Sequence, residues 1–399
     1  MPEPAGGAAV PGVPSGRAQP SVRVGLEVGA GAVTIGGGAA LLLTQPDGST
    51  VAQVPAGESW RIIVAGPSVA AISPGGWASP PAGTMSVSPR DAGDLIRVGR
   101  REYRGTLDVI RDRTGLSVIN RVTLEEYVGG VVGGEMGRRD SSEIEALRAQ
   151  AVVSRTYALR NRGRWRAQGF DFYATVADQV YLGLAGENPL SREAVLDTHG
   201  QVITQGGAPI DAFFFSTCGG RTSDGYEAFR GATRSYLRSI YDVGPDGVAY
   251  CSVSPRFRWR EEYSGDALRA MLQRTLPAAG LIAANRVGRI LDVGASGRTG
   301  SGRVERLAVA TSGGTVLVDG PQIRATLRST SGDILRSTAF DLNVTRRSGQ
   351  VTRLVIDGMG AGHGVGMCQW GAVGRARAGQ TYQQILQAYF QGTQIERYY

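Results

Sequence analysis

TLEEYVGGVVGGEMGRRDSSEIEALRAQAVVSRTYALRNRG, residues Thr123 to Gly163, decides the fold, because two helix patterns stand in it back to back. In the first, Leu124, Tyr127, Val128, Val131 and Val132 recur at the spacing of one helix face. Thr123 with Glu126 three residues later reads as a capping box, so Glu125 and Glu126 are first-turn residues that satisfy free amides and the helix dipole. Glu135 differs, since eleven residues after Leu124 is close to three full turns and returns it to the apolar face. A carboxyl held against packing is disposed to keep its proton, which suits a general acid working near neutral pH. Gly129, Gly130, Gly133 and Gly134 each cost roughly 1 kcal/mol against alanine inside a helix. Close approach of another backbone or of an extended substrate would account for them; a helix that ends near Gly133 is the alternative. The second helix starts at Ser142, with Glu145 completing another capping box, and runs through Ile144, Leu147, Ala151 and Ala158 towards Gly163.

Upstream, the Pro-, Gly- and Ala-rich residues 1–20 read as a flexible segment, with no basic stretch followed by a long apolar core. Between Val22 and about Ile110, VRVGLEV, AVTIGG, RIIVA, LIRV and TLDVI are short β-prone runs broken by turn residues, which points to a small β-rich unit over residues 21–105. Downstream, QVIT and IDAFFFS read as strands joined by a hairpin at Gly206 and Gly207. ALRAMLQRTL reads as a helix, and RVERLAVAT, GTVLVDG and STAFDLNV as strands. TYQQILQAYFQG closes the chain as an amphipathic helix with Tyr382, Ile385, Leu386 and Tyr389 on one face. The expected fold class is α+β, with mixed or antiparallel sheets, a paired-helix core and a β-rich N-terminal part.

All 43 basic side chains are arginine, and the formal net charge of +8 favours polyanions. No zinc-finger, helix-turn-helix or aromatic-plus-basic strand signature accompanies it, which argues against nucleic acid. No apolar run reaches the length of about 18 residues that spans a bilayer.

EEYVGGVVGGEM followed by EALRAQAVVSRTYAL resembles the core motif of the SpoIID/LytB family, the sporulation protein D and amidase-enhancer group of bacterial cell-wall proteins. The resemblance continues in AFFFSTCGGRTS (212–223), YCSVSPRFRW (250–259) and GMGAGHGVGMCQWGA (358–372), so it covers residues from about 106 to 399, with a variable middle at about 264–343. It implies an extracytoplasmic protein of the cell envelope acting on peptidoglycan glycan strands, as a lytic transglycosylase in which Glu135 is general acid and then base. The alternative it implies is a non-catalytic glycan-binding enhancer of a cell-wall amidase.

The same resemblance places Arg155, Tyr157, Ser216, Thr217, His363 and Gln369 along the glycan site. Arg155 would either lower the pKa of Glu135, if it stands beside it, and so oppose the acid role, or bind the lactyl carboxylate of muramic acid stripped of peptide, for which a guanidinium is well shaped. His363 either lines the groove or holds its glycine-rich loop by a ring hydrogen bond. Cys218 and Cys251 fall where the family pairs cysteines, which implies a disulfide; zinc on Cys218 and Cys251 is the rival, and no other cofactor is implied. Only His199 and His363 exist to complete such a site, and Cys368 stands where the family has serine. No second catalytic carboxylate stands out among Asp171, Asp178, Asp211 and Asp224.

Overall fold

The computed structural model describes residues 18–229 and 231–399; most of the expected N-terminal segment lies outside the described residues. The chain divides into two compact units, one running to Asp211 and completed by Gln394–Tyr399, the other Ala212–Thr393. The fold is α+β.

In the first unit every β-prone run expected before residue 110 forms a strand, because alternating residues such as Val22, Val24, Val33 and Ile35 bury one face. One sheet has the order Phe172–Tyr173, β1 (Ser21–Ala30), Leu116–Thr123, Thr106–Arg111, Thr84–Pro89, Leu41–Thr44 and Thr50–Val54. It is antiparallel except where Phe172–Tyr173 runs parallel to β1. A second, five-stranded sheet joins Ser68–Ile72, Ser59–Ala65, Ala32–Gly36, Ile96–Val98 and Arg101–Tyr103. The seam expected at residue 105 does not hold: β1 pairs along its length with Leu116–Thr123, so the N-terminal strands and the helical core belong to one unit.

Leu116–Thr123 passes directly into α1 (Leu124–Met136), through the capping box of Thr123 and Glu126. α2 (Ile144–Asn161) follows, but its box is two residues earlier than the sequence suggests: Asp140 and Glu143 cap a 3-10 turn at Ser141–Glu143 that leads into the helix. Both helices pack on α3 (Pro189–Asp197). The Gly206–Gly207 hairpin is present, with both glycines at positive φ, joining Gln201–Gln205 to Ala208–Pro209. Gln201–Gln205 also pairs with the closing strand Gln394–Arg397.

The second unit holds two three-stranded antiparallel sheets. One is Arg258–Ser264, Gln350–Met359 and Phe340–Arg347; the other is Ile290–Ala295, Arg306–Thr311 and Gly314–Asp319. The helix Gly265–Ala278 buries Leu268, Met271, Leu272 and Leu276 in a core shared with Val309, Val318, Leu354 and Ile356. The middle segment therefore packs into one core with the motif strands on either side of it. The expected strand IDAFFFS shrinks to Phe214–Phe215, which pairs in parallel with Met367–Cys368. Among the described residues, no helix is long and apolar enough to cross a membrane.

Candidate functional site

α1 continues past its glycines to Met136, and Leu124, Tyr127, Val128, Val131 and Val132 are all fully buried. Three of the four glycines, Gly130, Gly133 and Gly134, meet another segment of the chain. A Cβ on Gly133 would stand 1.8 Å from the Gly186 carbonyl oxygen, one on Gly134 2.5 Å from that of Val180, and one on Gly130 2.6 Å from the Tyr181 ring. A strap, residues 178–187, lies across the helix where these side chains are missing. Gln179 donates to the Tyr127 hydroxyl and the Tyr181 hydroxyl to Asn120, while Arg104 grips Glu187 at 2.8 and 3.1 Å. Glu135 sits half-buried on this face, and its Oε1 accepts a 2.7 Å hydrogen bond from the Val180 amide. The bond fixes the carboxyl against the strap.

Arg155 is engaged inside the fold. Its side chain is wholly buried, with Nε and Nη2 donating to the two oxygens of Glu125 at 2.8 and 2.7 Å and Nη1 donating to the Gln201 carbonyl at 3.0 Å. With its fork filled, the guanidinium has no face for a lactyl carboxylate. Glu125 is correspondingly more than a first-turn acid, since it also accepts from the Gly200 amide at 3.2 Å and from the Tyr399 hydroxyl. Burial would raise its pKa, but the bonds from Arg155, Tyr399 and Gly200 together hold it below the ordinary value.

Tyr157 is buried too, and its hydroxyl donates to Asp178 at 3.1 Å while accepting from Arg164. Asp178 further accepts from the Trp165 ring at 2.7 Å and the Tyr173 amide at 2.9 Å. The other acids named from sequence are likewise engaged: Asp171 with Arg23, Asp211 with Arg160, Asp224 with Arg238.

In the second unit the Cys218–Cys251 disulfide is not formed. The two sulfurs stand 3.3 Å apart, well beyond a bond of about 2.05 Å, and all three cysteines are free and buried. Cys368 joins them, and the three sulfurs lie within 4.8 Å of one another. Amides of Cys218 and Gly371 donate to Cys368, and that of Gly220 to Cys218. Hydrogen bonds from Cys218 and Cys368 hold the Cys251 thiol well below its usual range, while burial pushes the other two up. Asp242, fully buried between Arg375 at 2.9 Å and the Tyr389 hydroxyl at 2.7 Å, accepts from Cys218 at 3.3 Å. Three converging soft sulfurs fit a divalent cation such as zinc, with Cys218, Cys251 and Cys368 as the ligands and the Asp242 carboxylate, held by Arg375 and Tyr389, beside them. Neither histidine belongs to this set, and Cys368 is a full member of it.

Thr217 is buried against Ser254 at 2.8 Å, and Gln369 is nearly buried at the start of the helix Gln369–Arg377. Ser216 borders a hollow of about 410 Å³ with Arg256, Arg324 and Arg336. His363 takes the structural option on its nitrogens: Nε2 donates to the Phe214 carbonyl at 2.9 Å and Nδ1 accepts from the Val365 amide. Burial among Phe213, Phe215 and Phe229 lowers its pKa to about 3, so the ring is neutral. Neither the Glu125–Arg155 pair nor the Cys368 and Asp242 contributions are visible in a local motif, because their partners come from remote segments.

Comparison with known proteins gives two sequence profiles: that of the stage II sporulation protein family matches residues 112–205, and that of a domain of unknown function matches residues 249–366. Stage II sporulation protein D of Bacillus subtilis is 31% identical over 299 residues, 71% of this chain and 77% of that protein. An uncharacterized protein of Brachyspira hyodysenteriae is 30% identical over 301 residues, 74% of this chain and 73% of its own. The amidase enhancer of Bacillus subtilis is 26% identical over 295 residues, 67% of this chain but 40% of that protein.

Proposed function

Since this chain belongs to the SpoIID/LytB family, we propose that it is a peptidoglycan lytic transglycosylase of the cell envelope, with Glu135 as its general acid and base. The observation that carries the reading is the half-buried Glu135 carboxyl, oriented by the Val180 amide on a helix face stripped to glycine. Glycosidases that use water generally place two carboxylates across the bond. Transglycosylation needs one. Glu135 gives its proton to the glycosidic oxygen as the C1–O bond breaks, then takes the proton of the same sugar's 6-hydroxyl as that oxygen bonds to C1. The products are a 1,6-anhydro-muramyl end and a new 4-hydroxyl, with the carboxyl restored to its starting state and no water consumed.

The test is incubation of purified protein with glycan strands stripped of peptide, followed by mass analysis. Anhydro-muramyl ends are expected; products with reducing ends alone would mean hydrolysis and a second carboxylate. The similarity to an amidase enhancer favours a second reading, in which the chain binds glycan and stimulates a partner amidase. That reading prevails if strands stay intact while the protein co-sediments with them and accelerates an added amidase.

A further inference from the structure

Next to the His363 loop, the second unit contains a recess of about 270 Å³ with Arg303, Arg324, Glu227, Phe229, Pro321 and His363 in its walls. It opens beside a broader hollow of about 1040 Å³ that shares Glu227, Phe229 and Pro321. Arg303 is 4% exposed, yet its Nη1 has no hydrogen-bond partner, and its Nη2 reaches the Cys218 carbonyl at only 3.4 Å. Its guanidinium lies flat on Gly364, where any Cβ would stand 2.7 Å from Nε, so the backbone is shaped to admit it. A buried guanidinium with an unmet donor is costly, and native structures complete such groups with a ligand, an ion or an ordered water.

The balance of charge in the recess is positive. Arg324 spends Nε on the Leu335 carbonyl at 2.7 Å, and neither arginine forms an ion pair among the described residues. Glu227 is engaged elsewhere, taking the Ser301 amide at 3.1 Å and the Ser301 hydroxyl. Two formal positive charges against one negative favour a monoanion, and a planar guanidinium favours a carboxylate. The remaining wall is aromatic: Phe229 stacks on Phe213 with centroids 4.5 Å apart, and the neutral His363 ring closes edge-on at 4.9 Å. A mostly apolar recess with a few convergent polar groups is the usual form of a small-ligand site.

We infer that this recess binds a carboxylate carried on a ring-sized body, with Arg303 taking the carboxylate and Phe229 the face of the ring. Under the glycan reading, on which this choice of ligand rests, the carboxylate is the lactyl group of a muramic acid residue bare of peptide. The role expected of Arg155 thus falls to Arg303, in a segment where no motif pointed to it.

Calorimetric titration of the full chain with N-acetylmuramic acid, N-acetylglucosamine and inorganic phosphate tests this. N-acetylmuramic acid should bind about tenfold or more tightly than N-acetylglucosamine, which lacks the lactyl carboxylate, and phosphate should not substitute for it. Arg303→Gln should remove that preference. Ala228→Phe, which adds bulk at a wall residue of the recess, should weaken binding about tenfold or more with the melting temperature kept. Equal binding of the two sugars, preference for phosphate, or unchanged affinity in folded Ala228→Phe overturns the inference. Free sugar needs no cleavage to bind: missing anhydro products with selective binding intact sink the transglycosylase reading alone, whereas cleavage without selective binding sinks this one.

Discussion

Glu135 and Glu125 lie on one helix, and their roles separate by partner. Glu135→Gln keeps shape and the acceptor for the Val180 amide but removes the exchangeable proton, so strand cleavage should fall by roughly 10²–10⁴-fold with glycan binding kept. Cleavage at the wild-type rate would refute the assignment. Glu125→Gln should leave activity per folded molecule intact but cost on the order of 3 kcal/mol, since it strips a wholly buried Arg155 of its counter-ion. Its pKa is depressed in the fold, so its stabilising contribution is whole above the unfolded value near 4.3 and is lost as pH falls through the folded value. Acid unfolding should therefore be less steep below about pH 4 in Glu125→Gln than in the wild type; identical slopes would remove the ion pair as the cause. The helix phase was enough to put Glu135 on the packed side of α1, where it is half-buried, whereas Glu125 passed for an ordinary first-turn acid because Arg155 and Tyr399 reach it from other segments. The cysteines were misread for the same reason: Cys368 is far along the chain from the other two. All three thiols should resist alkylation in the native protein, and stoichiometric zinc should be lost together with that protection on chelation. Ready labelling of Cys368 alone would leave only the original pair.

At the scale of elements, the hydrophobic periods before residue 110 and the capping residues of α1 were enough to place strands and helix, since each depends on neighbours within a few residues. The glycine pairs announced a close approach but not its source. The strap at residues 178–187 carries no regular period, being a loop that ends in a 3-10 turn, and its place on α1 is set by side chains such as Gln179 and Tyr181. The four glycines are therefore unequal. A Cβ on Gly129 would meet only Glu187 carbons at 3.8 Å or beyond, so Gly129→Ala should raise stability by up to about 1 kcal/mol through helix propensity. Gly133→Ala would drive a methyl group into the Gly186 carbonyl and should cost about 1–3 kcal/mol, displace the strap and with it the Val180 donor, and impair cleavage. Thermal melts of the two variants check this, and equal melting temperatures would deny that the strap selects the glycines.

Over the whole molecule, the sequence showed the α+β class but not the division into units. The place near residue 105 where the β-prone runs give way to the family motifs looked like a boundary, whereas β1 is paired with the strand that feeds α1, and the last six residues return to the first unit. Such closures are set by strand partners remote in sequence, to which composition is blind. Net charge, by contrast, is a property of the whole chain that needs no structure. With a formal +8 carried entirely by arginine, long-range attraction to a carboxylate-bearing glycan should add to the local contacts of any site. That part is screened, because the Debye length shrinks from about 10 Å at 0.1 M salt to about 3 Å at 1 M. Co-sedimentation with peptide-stripped strands should accordingly weaken steadily as salt is raised across that range. Strands whose lactyl carboxylates have been amidated should bind less at low salt and lose most of the salt dependence. Binding that ignores both salt and amidation would show that the arginines meet no polymer charge, and would leave contacts to neutral sugar groups as the source of affinity.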